Sequence, residues 1–132
     1  MSAPETRIAQ TIMERVSLLL DYDIAWPNVR YAPKAGKPYY RVSILPGQTE
    51  LRGYNNDNHI GVIQIDVVWP AGDGPINPRK AADDVLHLFR RGTRIGSDPR
   101  IDIHRPPYLG PANQTPDRYV IPVSIPYTAT TR

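Results

Sequence analysis

The sequence predicts an α+β fold, with a mostly antiparallel sheet of four to five strands and two helices packed on one face. Three observations predict it. Two segments carry apolar residues at steps of three and four, the period of a helix with one buried stripe. Other segments alternate apolar and polar residues, the period of a half-buried strand. The connections are rich in Pro, Gly and Asn, and the 132 residues include 15 prolines, about twice the usual 5% share.

The first helix is expected over residues 5–20. Ile8, Ile12, Val16, Leu19 and Leu20 form its apolar stripe, and Arg7, Gln10, Glu14, Ser17 and Asp21 its wet face. Pro4 suits the first turn, where its missing N–H costs nothing. Trp26-Pro27 then breaks the chain, and Lys34 to Pro38 reads as a turn. A strand follows over 39–45, with Tyr40, Val42 and Ile44 on one face and Arg41 and Ser43 on the other. Pro46-Gly47 is expected to stop it.

Residues 47–58 read as a loop with some strand at its start. Residues 59–69 form a strand with Ile63, Ile65, Val67 and Trp69 toward the core, ended by Pro70. Asn77 is the expected N-cap of the second helix, with Pro78 at its first position. Ala81, Ala82, Val85, Leu88 and Phe89 are its buried stripe, Arg90 and Arg91 its last turn, and Gly92 its stop. Ile101 and Ile103 alternate in a short strand. Residues 105–117 are expected to be a loop. In the strand 118–127, Tyr119, Ile121, Val123, Ile125 and Tyr127 share one face. Pro122 and Pro126 remove donors from a single edge, which predicts an edge strand that cannot carry a full ladder.

Composition narrows the function. The length suits a single domain, residues 1–132, with one core. The absence of Cys excludes disulfides, zinc–thiolate sites and thiol catalysis. No apolar run approaches the ~20 residues a membrane helix needs, and the N-terminal residues lack the apolar stretch of a secretion signal. The net charge of +3 is mild. The densest basic group is Arg90, Arg91 and Arg94, which fits a solvated helix end better than a nucleic-acid stripe interleaved with aromatics.

Catalytic signatures are missing. His59, His87 and His104 have no second His at metal spacing, and Asp83, four residues before His87 on the same helix face, makes only a two-residue pair, too little for a site. Asp83 and Asp84 are adjacent on a helix, so they point about 100° apart and do not converge. No glycine-rich phosphate loop and no nucleophile elbow occurs. Neither an enzyme nor a cofactor is expected. Buried interface anchors are enriched in Tyr, Trp and Arg. The loops at 47–58 and 105–117 therefore supply the candidate contacts with other subunits: Leu51, Arg52, Tyr54, Tyr108 and Leu109.

The chain resembles the tail terminator proteins of long-tailed bacteriophages. The resemblance rests on the helix Arg7–Leu20, Trp26-Pro27-Asn28, the strand Tyr40–Pro46, the stretch Leu51–Trp69, the helix Asn77–Phe89 and the strand Tyr119–Tyr127. It implies a minor tail protein of the virion, made in the host cytoplasm and placed at the head-proximal end of the tail. It further implies a homo-oligomer, a hexameric ring that stops tail-tube polymerisation and joins head to tail. The implied partners are the major tail tube protein, head-side connector proteins and DNA passing without sequence specificity. Arg90, Arg91 and Arg94 are the candidate DNA-proximal basic residues. Two other readings stand beside it: a neck or head-completion protein between portal and tail, and a small nucleic-acid-binding module using Arg90, Arg91, Arg94 and Arg100.

Overall fold

The computed structural model describes residues 4–33, 36–51, 57–97 and 99–131. These described residues contain two helices, α1 (Pro4–Val16) and α2 (Ile76–Leu88). Three long strands form the middle of the sheet: β2 (Tyr39–Leu51), β3 (Asp57–Pro70) and β8 (Arg118–Thr131). Five short ones surround them: β1 (Asp23–Ala25), β4 (Arg94–Ile95), β5 (Arg100–Asp102), β6 (Tyr108–Leu109) and β7 (Asn113–Gln114). The sheet thus has eight strands rather than four to five, in the order β1-β2-β3-β8-β5-β4, with β6 and β7 also paired to β8. It is mixed, because β1 runs parallel to β2.

The alternation read from the sequence builds the core in rows. Tyr40 lies opposite Val67 and Val67 opposite Ile121; Val42, Ile65 and Val123 form the next row, and Ile44, Ile63 and Ile125 the third. Onto this face pack Ile8, Ile12 and Val16 of α1 and Ala81, Ala82, Val85 and Phe89 of α2, in one continuous cluster. Both helices therefore cover the same face, as expected. Tyr22 closes one end of the cluster edge-on against Tyr40 and Trp69, with ring centroids 5.7 and 5.2 Å away, a favoured aromatic geometry.

Several boundaries differ from the sequence expectation. α1 ends at Val16, and Leu18 and Leu20 are exposed, Leu20 by 86%. Only Leu19 turns back to the core, held by its N–H to the Val16 carbonyl. α2 starts one residue before Asn77, with Pro75 at the cap position and no side-chain cap. The Asn77 amide donates instead to Asp73 Oδ2 at 3.2 Å, beside the Trp69 indole N–H at 2.7 Å. Pro78 remains harmless, because it still falls in the first turn. Arg90 and Arg91 lie beyond the helix end. Arg15 supplies the cation there, donating from Nη2 to the Leu88 carbonyl at 3.0 Å.

Pro46-Gly47 does not stop β2. The register shifts between Pro46 and Thr49, a bulge, and pairing with β3 resumes from Thr49 opposite His59 to Leu51 opposite Asp57. Gly47 is required there: a Cβ would lie 2.7 Å from the Ile60 carbonyl oxygen. Gly61 has the same role under Tyr127, whose phenol occupies the space a side chain would need.

β8 is not an edge strand. Pro122 and Pro126 do break the ladder on one side, and Gly110 N–H donating to the Pro122 carbonyl identifies that side. Three pieces cover it. β7 pairs with Val120 and Tyr119, β6 with Ser124 and Val123, and β5 with Thr130, Ala129 and Thr128. Each proline sits in a gap between two pieces. The missing donors thus divide the neighbouring strand rather than leave the edge bare.

Candidate assembly surfaces

The residues expected to make contacts separate into different environments. Leu51 is the last residue of β2; Arg52 and Tyr54 lie outside the described residues. Tyr108 and Leu109 are not in a free loop but form β6. Strand alternation turns them to opposite faces. Tyr108 is 56% exposed, whereas Leu109 is half-buried and packs against the core cluster. The sequence signal for β6 was the apolar pair itself, hidden between prolines.

The part of the β2–β3 pair beyond the bulge is held by a polar cluster that sequence reading missed. His59 is 6% exposed. Its Nδ1 lies 3.2 Å from Thr49 Oγ1 and 3.2 Å from Glu5 Oε1, and its Nε2 lies 3.0 Å from Thr131 Oγ1. One ring therefore ties α1, β2, β3 and the end of β8 together. Next to it, the Tyr127 hydroxyl is buried without a hydrogen-bond partner among the described residues. Burial, reinforced by Glu5, pushes its pKa up to about 12. This arrangement positions the hairpin. His59 is fully engaged in packing and does no visible chemistry.

The basic residues are only partly brought together. Arg94 Nε binds Asp102 Oδ1 at 2.8 Å, and Arg100 Nε binds Asp102 Oδ2 at 3.2 Å. These residues line a cleft of about 530 Å³ with Asn58, His104 and Thr128. Arg90 turns back toward His87, 3.4 Å from its carbonyl. One carboxylate thus neutralises much of the charge that a nucleic-acid reading needs from Arg94 and Arg100.

The face opposite the helices is polar across its middle. Arg41 Nη2 binds Asp66 Oδ2 at 2.8 Å, and the Gln64 amide donates to Asp66 Oδ1 at 3.1 Å. At one end Tyr31 packs at a tilt against Tyr39 with ring centroids 4.7 Å apart, and Arg118 lies 5.8 Å over the Tyr39 ring. Beside β1 and β2 runs a groove of about 340 Å³, walled by Trp26, Val29, Pro33 and Val42. Among the described residues no His, Cys, Asp or Glu cluster could hold a metal ion. Among the described residues no helix is long and apolar enough to cross a membrane.

Comparison with known proteins places this scaffold. No curated protein matches the sequence. One solved chain superimposes with a TM-score of 0.79 at 23% identity, covering 98% of this chain and 96% of that one. At that identity the likeness speaks for the fold alone. A family model described as phage tail terminator protein matches residues 7–127, from the first turns of α1 to the late part of β8. The chain belongs to the phage tail terminator family and has a structural role in a phage tail.

Proposed function

We propose that this protein closes into a ring, six copies in the family pattern, at the head-proximal end of the tail tube. The ring ends tube polymerisation and offers the surface to which head-side connector proteins join. DNA passes through it without sequence-specific contact. Residues 1–132 act as one terminator domain. Its partners are further copies of itself, the major tail tube protein and the connector.

The observation that carries this reading is the family match over residues 7–127. The fold supports it: a closed ring joins two unlike patches of each subunit head to tail, and the two edges of this sheet differ in construction. The candidate contacts are Leu51, Arg52 and Tyr54, together with Tyr108 and Leu109 of β6. Arg90, Arg91 and Arg94 are the basic residues nearest to a DNA path in this reading.

Electron microscopy of particles made without this protein tests it. Overlong tails, or tails not joined to heads, are the expected result. Filled heads that leak DNA, with tails of normal length, would contradict it and assign the protein to head completion instead.

A further inference from the structure

β1 covers only Tyr39–Arg41 of β2. From Val42 to Leu51 the outer side of β2 carries no strand among the described residues. Where β1 ends at Ala25, the chain turns away through Trp26 and Pro27. The groove of about 340 Å³ continues the path that β1 leaves, with Val42 and Ser43 along one side and Trp26 and Val29 along the other. Val29 is 59% exposed.

The strand register connects this place to the far side of the molecule. Ser43 lies opposite Gln64, Gln64 opposite Ser124, and Ser124 opposite Tyr108. A single row therefore runs from the open edge of β2 to the exposed tyrosine on β6. β6 pairs with β8 on one side only, so its outer edge carries no strand among the described residues. A rotation about an axis along the strands brings Tyr108 of one copy level with Ser43 of the next.

We propose that the open edge of β2 receives the β6 segment of a second copy of this chain, with the Tyr108 ring seated in the groove against Trp26 and Val29. This inference rests on the ring reading above and names its joint. The phenol suits the groove because it has an apolar body and a polar tip. Trp26, Val29 and Pro33 supply apolar wall for the ring, and Tyr31, Arg41 and Ser43, which also line the groove, supply polar groups for the hydroxyl. Backbone N–H and C=O groups left unpaired on β2 gain partners from an extended segment. The joint is heterologous, so copies continue around a ring. Pairing of β2 with a second β2 would instead close a two-fold dimer and stop.

The chain has no cysteine, so introduced ones report alone. Single variants Ser43→Cys and Tyr108→Cys are mixed and treated with a short bismaleimide, both as concentrated free protein and on purified tail tubes. The mixture is expected to give a cross-linked pair, and each variant alone none. A chain carrying both substitutions is expected to give a ladder ending in a closed ring. Tyr108→Ala is expected to raise the half-assembly concentration by about tenfold or more with thermal unfolding unchanged. Val29→Asp provides an independent disruption of the groove and is expected to act in the same direction. Rings that form without the mixed cross-link, or with unchanged assembly in Tyr108→Ala, overturn this joint and leave the ring reading standing. Cross-linking of Ser43→Cys with itself overturns it in favour of a two-fold contact. A monomer in both settings removes the joint and the ring reading together.

Discussion

Along β8, two prolines and three short strands share one edge; along β2, three residues of β1 cover one end and the described remainder carries no strand. The contrast shows two ways to finish a sheet. On the β8 side the ladder is broken by removing donors, and the fragments β5, β6 and β7 satisfy what is left. On the β2 side the cover ends because Trp26-Pro27 turns the chain away, leaving the edge beside the groove without a strand as far as Pro46, which has no N–H to offer. An edge of the first kind resists a new strand, whereas one of the second kind accepts it.

Removing the cover of the closed edge should have the largest effect. Ile101 anchors β5 and is fully buried, so Ile101→Ala is expected to cost about 2–5 kcal/mol in a denaturant titration. Leu45, 51% exposed on the open edge, should change stability by no more than about 0.5 kcal/mol when replaced by Ala. Equal costs would remove the distinction between the edges.

The bulge is the next test. Gly47→Val sets a side chain against the Ile60 carbonyl and is expected to cost about 1–3 kcal/mol. Hydrogen exchange should quicken at Thr49 and His59 beyond the bulge and remain slow at Val42 and Ile65. A smaller effect is expected from Pro122→Ala, which restores a donor in a gap that no strand fills. It should destabilise by about 0.4–1 kcal/mol through the freer unfolded chain and leave assembly unchanged.

The smallest effect concerns the turn at the Trp69 end of the sheet. The Trp69 indole, then the Asn77 amide, hold the Asp73 carboxyl below its ordinary value of 3.8. A lowered folded-state pKa stabilises the protein above the ordinary value, and the gain is lost as pH falls through the lowered one. Stability should therefore decline below pH 4 with a change in indole fluorescence. Asp73→Asn should remove that component of the pH profile.

Much of this layout was legible in the sequence. The alternation in 40–44, 63–69 and 119–127 placed the core rows, and the two apolar stripes placed both helices on one face. The errors have physical causes. Pro46-Gly47 reads as a stop, but a bulge absorbs both residues and keeps the strand alive. Asn77 is a good cap by type, yet Asp73 engages its amide and the helix begins earlier. β6 and β7 are two residues each, too short for any period to appear, and they exist only because β8 offers them an edge. The same limit applied to the contact residues: nothing local distinguishes the outward Tyr108 from the inward Leu109 until strand register assigns them faces. His59 looked isolated because Glu5, Thr49 and Thr131 meet it only in the folded chain.

Native mass measurement of the protein, free at high concentration and bound to purified tail tubes, tests the central claim most directly. A closed ring, of six copies in the family pattern, seated at one end of the tube is the predicted result. A monomer at high concentration that also fails to join tails would contradict it.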